Sequence, residues 1–176
     1  MVIFDTSVLV LALDPDAKPP IDRGTGKPLT KAKERVNFLI ATLSKAETTI
    51  LIPTPVLGEY LVKAGRNKQD FIDKFFASKN FDVASFDTKA AIEIAFLIDP
   101  DLLKKELDDK TTKAKLKFDR QIVAIGKAQR VARIYTGDEG LKDCAVKNGI
   151  AVTLTWELPE PPLPPNYGLF NGQDAK

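Results

Sequence analysis

Five short apolar segments, separated by helical patterns, constrain the fold of this chain more than any other feature. They are residues 2–4, 49–52, 81–85, 134–136 and 150–154. A short apolar run bounded by small polar or turn-forming residues is typical of a buried strand. Because helical patterns stand between successive strands, the order predicts an α/β fold. We expect a three-layer α/β/α sandwich with a mostly parallel five-stranded sheet.

The length of 176 residues and the apolar content of 44% fit one soluble globular domain. We expect this domain to span residues 1–154 and a Pro-rich tail to span residues 155–176. Residues 14–29, rich in proline, glycine and charge, predict a long exposed loop of a kind that is often functional. Residues 102–107 predict a short helix, and residues 108–117 predict a charged connector to a helix at 118–131.

The chain contains no histidine and one cysteine, Cys144. Without histidine, the usual Ser-His-Asp and Cys-His nucleophile systems and Cys/His zinc sites are excluded. One cysteine allows no internal disulfide, and no apolar stretch reaches the roughly 20 residues that span a bilayer. Met1 leads directly into a strand-like run rather than a secretory signal, so we expect a cytoplasmic protein. Any catalysis must use carboxylates, lysines or a hard metal ion.

Four of the 24 acidic residues occupy positions that suggest a functional role rather than a solvent-exposed surface position. Asp5 and Asp138 each directly follow a predicted strand, and at the carboxyl ends of neighbouring strands they would face each other across a crevice. Glu59 lies in an apolar helix beside Gly58, which would let another group approach closely. Asp119 is near the start of the predicted helix at 118–131. All four side chains can point into one space.

These acids also have simpler structural explanations. Asp5 and Asp138 are good helix N-caps, and the dipole at the start of its helix would favour Asp119. However, four unpaired carboxylates in one crevice would repel one another strongly. A bound Mg²⁺ or Mn²⁺ would relieve that repulsion, because hard cations take carboxylate oxygens as ligands. The pattern therefore indicates a divalent metal site.

Four segments resemble, in the family's order, the motifs of PIN-domain ribonucleases. They are residues 2–10 (VIFDTSVLV), 53–60 (PTPVLGEY), 118–124 (FDRQIVA) and 134–141 (IYTGDEGL). The resemblance covers roughly residues 1–154. It implies a metal-dependent nuclease, a hydrolase of RNA phosphodiesters, whose catalytic acids are Asp5, Glu59, Asp119 and Asp138. Because many members resemble the toxins of toxin–antitoxin pairs, it also implies an antitoxin partner and a homodimer.

The resemblance suggests roles for the individual residues. Asp5, Asp119 and Asp138 would hold one or two Mg²⁺ or Mn²⁺ ions, and Glu59 would complete the site as a ligand or water-orienting base. Three hydroxyl-bearing residues would orient a carboxylate or a metal-bound water, namely Thr6, Ser7 and Thr136. The 14–29 loop and the 102–117 segment look longer than in compact toxins of this family, and the Pro-rich tail is additional.

Two basic strips are candidates for guiding a phosphate backbone. The first adjoins Asp119 and consists of Lys110, Lys113, Lys115, Lys117 and Arg120. The second lies at the end of the long loop and just beyond it, and consists of Lys27, Lys31, Lys33 and Arg35. A solvated basic surface accounts for either strip equally well, and the net charge of +2 does not by itself indicate nucleic acid.

Two other functions remain open. One is an aspartate-dependent phosphohydrolase with Asp5 as nucleophile, although Ser7 stands where a second acid would be needed. The other is a non-catalytic module on the same fold that binds nucleic acid or protein. Asp87 and Asp143 resemble the candidate acids, but we expect the first to cap a helix and the second to be a solvated helix residue. Trp156 and Tyr167 are expected to hold the tail.

Overall fold

The five predicted strands form one parallel sheet in the computed structural model, which describes residues 1–65, 68–97 and 110–162. The strands are β1 (Val2–Phe4), β2 (Ile50–Pro53), β3 (Phe81–Ala84), β4 (Arg133–Thr136) and β5 (Ala151–Leu154). Their order across the sheet is β3-β2-β1-β4-β5, and each neighbouring pair is parallel. The predicted fold class is therefore confirmed.

Seven α-helices lie in the described part of the chain. They are α1 (Thr6–Leu13), α2 (Ala32–Lys45), α3 (Thr54–Ala64), α4 (Lys68–Ala77), α5 (Thr88–Leu97), α6 (Lys110–Ala128) and α7 (Glu139–Lys147). A 3₁₀ turn at Thr155–Glu157 follows β5. Within these described ranges, no helix combines the length and the apolar character needed to cross a membrane.

The central strands β1 and β2 are covered on both faces of the sheet. Ile3 and Phe4 in β1 are fully buried, and the consecutive residues Ile50 (0% exposed) and Leu51 (4% exposed) in β2 are buried too. Because successive side chains of a strand point to opposite faces, burial of consecutive residues requires packing on both sides. The edge strand β3 differs, since Asp82 within it is exposed.

The chain changes its direction of travel across the sheet at β1, which pairs with β2 on one side and β4 on the other. Phe4 at the end of β1 pairs with Tyr135 near the end of β4. The residues that directly follow these strands therefore meet at one edge of the sheet, where open parallel α/β sheets bind ligands. This strand order places Asp5 beside Asp138, as the sequence predicts.

The predicted charged connector at residues 108–117 is wrong over the part that the structure describes, because α6 begins at Lys110. Lysine, alanine and leucine are good helix formers, and the high charge of this segment hides its helical pattern in the sequence. The consequence is that Asp119 lies in the middle of a helix of 19 residues rather than at its start. The predicted helix at 102–107 lies outside the described residues.

The loop after α1 and the segment after β5 are attached to each other. A short antiparallel bridge between Ile21 and Pro28 narrows the loop. Glu160 forms two ion pairs: its Oε2 lies 3.1 Å from Lys31 Nζ, and its Oε1 lies 2.8 Å from Arg35 Nη2. Leu158, between the 3₁₀ turn and Glu160, is buried in the core.

Trp156 in the 3₁₀ turn is partly buried against the same core, whereas Tyr167 lies outside the described residues. The division of the chain at residue 154 stays a prediction.

Candidate active site

A cleft of about 760 Å³ opens at the carboxyl ends of β1 and β4. All four acids that the sequence singles out line it, namely Asp5, Glu59, Asp119 and Asp138. They come from four different segments of the chain. The sheet and the two helices α3 and α6 therefore bring together side chains that lie far apart in the sequence.

Asp5 directly follows β1 and is only 7% exposed. Its Oδ2 accepts hydrogen bonds from Thr136 Oγ1 at 2.9 Å and from Ser7 Oγ at 3.0 Å. Burial raises the pKa of the Asp5 carboxyl, although these hydroxyl groups oppose the shift. Asp5 occupies the N-cap position of α1, where the backbone N–H groups of Thr6 and Ser7 also lower its pKa, but no capping hydrogen bond of normal geometry forms. Capping is therefore an incomplete explanation for this residue.

Three hydroxyl groups hold the carboxylates and the turn after β4. Thr136 Oγ1 also accepts a bond from the Asp138 backbone N–H at 2.9 Å, and Ser7 Oγ accepts one from the Gly137 N–H at 2.7 Å. Thr6 Oγ1 donates to Glu59 Oε2 at 2.5 Å, which joins the start of α1 to α3. These are the contacts that an orienting role requires, and the role itself stays a prediction.

Asp119 is 5% exposed, and its carboxylate borders the space beside Gly140. Burial, and after it the negative charge of Asp138, raises the pKa of Asp119 to about 6. Asp5 and Glu59 add to the increase, and Lys115 opposes it. The helix dipole acts only over the first turn, so the position of Asp119 in the middle of α6 removes the dipole explanation.

The other two acids are paired with lysines, so the four carboxylates are not all unpaired as the sequence suggests. Lys115 Nζ lies 2.8 Å from Asp138 Oδ2, and Lys63 Nζ lies 2.8 Å from Glu59 Oε1. Burial would raise the pKa of Glu59, but the hydrogen bonds from Lys63 and Thr6 outweigh it and the net pKa is lowered. Each of these carboxylates already has a positive neighbour.

Asp138 divides its two oxygens between a helix cap and an ion pair. Its Oδ1 accepts from the backbone N–H groups of Gly140 at 2.7 Å and Leu141 at 3.3 Å, which caps α7. Its Oδ2 faces Lys115. Burial would raise the pKa of Asp138, but the Lys115 bond and the two N–H bonds lower it on balance. The capping explanation is correct for one oxygen only.

Gly140 lies beside three of these charged groups. A Cβ added at Gly140 would lie 3.1 Å from Asp138 Oδ1, 3.5 Å from Asp119 Oδ2 and 3.6 Å from Lys115 Nζ. The two carboxylates and the ammonium therefore surround one small space beside the glycine backbone. A side chain at this position would fill it.

Carboxylate oxygens are the ligands that a hard divalent cation prefers. Oxygens of Asp138 and Asp119 border the space beside Gly140, which a larger residue would fill. The residues of the cleft therefore fit such a cation by their chemistry. The buried Oγ1 of Thr155, which lines the same cleft, has no hydrogen-bond partner among the described residues. Within the described ranges, however, no three acidic, cysteine or histidine side chains are gathered closely enough to form a ready-made metal site. Asp138 and Glu59 are held by lysines instead.

Comparisons with known proteins bear on the fold. No protein-family model matches the sequence, and no curated protein matches it significantly. Among solved structures, VapBC2 from Rickettsia felis bound to a DNA fragment from their promoter has a TM-score of 0.58 and 18% identity, and the match covers 88% of this chain and 98% of that chain. DNA-bound VapBC from Salmonella typhimurium has a TM-score of 0.56 and 13% identity, with coverages of 88% and 97%.

The VapC component of such complexes is a PIN-domain protein. The chain has a PIN-like fold. At these identities the likeness establishes the fold alone, and it confirms the fold that the four sequence motifs imply. In this PIN-like fold the four acids meet where β1 and β4 end, beside the point at which the sheet order reverses.

The cleft of the PIN-like fold also contains residues that the sequence analysis did not select, namely Lys18, Lys63 and Thr155. For two of them, the sequence contains a pattern that indicates a place in the cleft. Lys63 stands four residues after Glu59 on one helix face, a spacing that favours an ion pair. Thr155 directly follows β5, as Asp5 and Asp138 follow their strands. Lys18 lies in the long loop, and no sequence pattern indicates its place in the cleft.

The two predicted basic strips have different outcomes. In the first, Lys115 lines the cleft, whereas Lys117 and Arg120 are not among the residues that line it. The side chains of Lys110 and Lys113 lie outside the described residues. In the second, Lys31 and Arg35 bind Glu160, and Lys33 donates to the Pro15 carbonyl. Those three cations have contacts within the protein.

Asp87, Asp143 and Gly58 lie outside the set of cleft acids. Asp87 caps α5 as predicted, because its Oδ1 accepts from the Ala90 N–H at 2.9 Å. Asp143 is exposed on α7, as predicted, and does not line the cleft. No described protein atom lies close to Gly58, since a Cβ there would meet nothing within 4 Å, so close approach by another molecule stays a prediction.

Proposed function

We propose that this protein is a Mg²⁺- or Mn²⁺-dependent endoribonuclease. The observation that carries the proposal is the convergence of Asp5, Glu59, Asp119 and Asp138 on one cleft. Asp119 is the most telling of the four, because a buried carboxylate close to other negative charges is costly unless a cation or proton compensates it. A bound divalent ion would offset this unfavourable electrostatic energy, and the relief would favour binding of the ion.

In this proposal Asp5, Asp119 and Asp138 hold the ion, directly or through water. When bound, the ion would supply a hydroxide near neutral pH and stabilise the charge that develops on the phosphate. Thr136 and Ser7 fix the orientation of Asp5. Thr6 fixes Glu59, whose lowered pKa keeps it ionised at neutral pH, so that it can accept a hydrogen bond from the attacking water.

RNA is proposed as the substrate on the strength of the sequence resemblance to PIN-domain ribonucleases. Three lysines line the cleft around the acids, namely Lys18, Lys63 and Lys115. Ammonium groups at the edge of an acidic site would attract the phosphate backbone and offset its repulsion by the carboxylates. Lys113, Lys117 and Arg120 remain candidates for contacts farther along the strand.

We further propose that the chain is the toxin component of a toxin–antitoxin pair in the cytoplasm, with an antitoxin protein as partner and a homodimer as its own assembly. The support is that two similar solved structures are VapBC complexes bound to DNA. Exposed Ile92 and Phe96 on α5 provide apolar surface for a protein contact. Expression in bacteria should arrest growth, and Asp5→Ala should relieve the arrest.

The nuclease activity can be tested with the purified chain, end-labelled RNA and Mn²⁺. We expect cleavage that stops with a chelator and that Asp5→Asn and Asp119→Asn each reduce at least a hundredfold, because the carboxylates act as one unit. Asp143→Asn is the matched control, since it removes an exposed carboxylate outside the cleft. Cleavage by Asp119→Asn at the rate of the parent would overturn the proposal.

One observation favours a second function, a non-catalytic binding module. Lys63 and Lys115 already neutralise Glu59 and Asp138, so two of the acids are stable without a metal ion. If the chain binds RNA with the same affinity in a chelator as in Mn²⁺ and does not cut it, this second function is correct. No contact in the described residues favours a phosphohydrolase, because Ser7 binds Asp5 rather than supplying an acid.

A further inference from the structure

Lys115 occupies the position of a cation among the acids. It stands four residues before Asp119 on α6, so both side chains lie on one helix face. Its Nζ is 2.8 Å from Asp138 Oδ2. It is also 3.6 Å from the point where a Cβ of Gly140 would lie, and Asp119 Oδ2 is 3.5 Å from that same point. The ammonium therefore borders the small space between the two carboxylates.

The ammonium of Lys115 pairs with Asp138 and shares the space beside Gly140 with the carboxylate of Asp119. Its pKa is raised by the hydrogen bond to Asp138 and by the negative charges of Asp138, Asp119 and Asp5. The side chain is nevertheless 57% exposed. A lysine has a flexible stem of four carbons, so Lys115 can leave Asp138 without disturbing the core.

Lys63 provides a close comparison within the same cleft. It also pairs with a carboxylate at 2.8 Å, and its side chain is also 57% exposed. Its partner Glu59 lies on its own helix, one turn away, and no acid other than Glu59 lies within ion-pair distance of Lys63 among the described residues. Lys63 therefore has the same charge and exposure as Lys115, but it does not border the space beside Gly140.

We propose that Lys115 is the built-in counter-ion of the acidic site: it releases Asp138 when a divalent cation binds, and then contacts a phosphate of the substrate. The ammonium and a metal ion cannot share Asp138 Oδ2 closely, because both are positive and compete for one oxygen. Once released, Lys115 remains tethered at the edge of the cleft, where an RNA phosphate is the nearest anion under the proposed function. The phosphate contact rests on that proposed function, whereas the counter-ion role does not.

The counter-ion role is tested by calorimetric titration of the full chain with Mn²⁺ alone. Lys115→Met should bind Mn²⁺ roughly tenfold more tightly than the parent, the effect of removing one competing charge-assisted bond. Lys63→Met is the matched control and should gain much less, because it changes the charge of the cleft equally but does not free Asp138. Equal gains in the two variants, or no gain in Lys115→Met, would overturn this role.

The phosphate contact predicts an opposite effect on the reaction. At saturating Mn²⁺, Lys115→Met should raise KM for RNA about tenfold, and Lys115→Arg should restore most of the loss because it keeps the positive charge. Circular dichroism and the melting temperature of each variant check that it is folded, with Lys115→Gln as a second neutral variant. An unchanged KM would overturn the phosphate contact.

The two proposals fail in different ways. If the parent binds Mn²⁺ and Lys115→Met binds it more tightly, but neither cuts RNA, the counter-ion role stands and the nuclease function is wrong. If the parent cuts RNA but Lys115→Met shows parental Mn²⁺ affinity, the nuclease stands and the counter-ion role is wrong. If the parent binds no Mn²⁺ at all, both are wrong.

Discussion

The hydroxyl group of Thr136 donates a hydrogen bond of 2.9 Å to Oδ2 of Asp5, across 131 positions of sequence. Thr136 Oγ1 also accepts a hydrogen bond from the backbone N–H of Asp138 at 2.9 Å. One side chain at the end of β4 thus fixes the acid that follows β1 and the turn that carries the acid after β4. The relative placement of Asp5 and Asp138 depends on this buried hydroxyl group.

Thr136→Val should therefore lower the free energy of unfolding by about 1–3 kcal/mol, because a buried carboxylate loses a donor and a buried N–H loses its acceptor. Urea denaturation measures the effect. Thr136→Ser keeps the hydroxyl group and should lose much less, mainly through the missing methyl group. If the valine and serine variants are equally stable, the hydroxyl group does not have this role.

Asp119→Asn should stabilise the metal-free protein at neutral pH, because burial and Asp138 raise the pKa of Asp119 to about 6 from an ordinary 3.8. The proton on Asp119 favours the folded state, so this contribution is fully present below pH 3.8 and is lost as pH rises through about 6. Asparagine resembles the protonated acid. The melting temperature of Asp119→Asn should exceed that of the parent at pH 7.5, by roughly 2–4 °C.

The difference in melting temperature between Asp119→Asn and the parent should depend on pH. In chelator, the two melting temperatures should converge as pH falls from about 6 towards 3.8. A difference that stays constant from pH 7.5 to pH 4 would mean that the charge of Asp119 is not its cause.

Gly140→Ala should weaken Mn²⁺ binding several-fold without unfolding the protein, because the new Cβ would lie 3.1 Å from Asp138 Oδ1 and must displace that carboxylate slightly. Gly58→Ala is the control. It lies in the interior of α3 with nothing within 4 Å of its added Cβ, so it should stabilise the protein by about 1 kcal/mol through helix propensity and leave Mn²⁺ affinity unchanged. Equal Mn²⁺ affinity in both variants would contradict the proposed space beside Gly140.

Thr155→Val should raise the free energy of unfolding of the metal-free protein by about 1 kcal/mol, because the buried Oγ1 of Thr155 has no hydrogen-bond partner among the described residues. Valine has nearly the same shape and no polar atom to leave unsatisfied. Thermal or urea unfolding beside Thr155→Ser, which keeps the hydroxyl group, measures the difference. A less stable valine variant would show that the hydroxyl group has a partner in solution.

The sheet and the convergence of the acids followed from local signals and one general rule. Short apolar runs such as Val2–Phe4 are visible in the sequence, and the ends of neighbouring parallel strands always share one edge. Where β1 and β4 are neighbours, this rule predicts that Asp5 lies beside Asp138. The lysines at the start of α6 hide its helical pattern, so the sequence predicts a helix terminus near Asp119 that the structure does not have.

The charge pairing within the site was harder to predict. Lys115 and Asp138 come from different elements, and their contact depends on where α6 passes the turn after β4. Similarly, Glu160 meets Arg35 across 125 positions, a distance over which sequence spacing carries no information. Sequence patterns indicate which acids gather, whereas folded geometry decides which cations accompany them.

The central claim is that the carboxylates of this cleft form a site for a divalent cation, and calorimetric titration with Mn²⁺ tests it most directly. The full chain should bind one or two ions, Asp143→Asn should bind them with parental affinity, and Asp119→Asn should bind at least tenfold more weakly. The absence of Mn²⁺ binding by the parent, or parental affinity in Asp119→Asn, would contradict the claim.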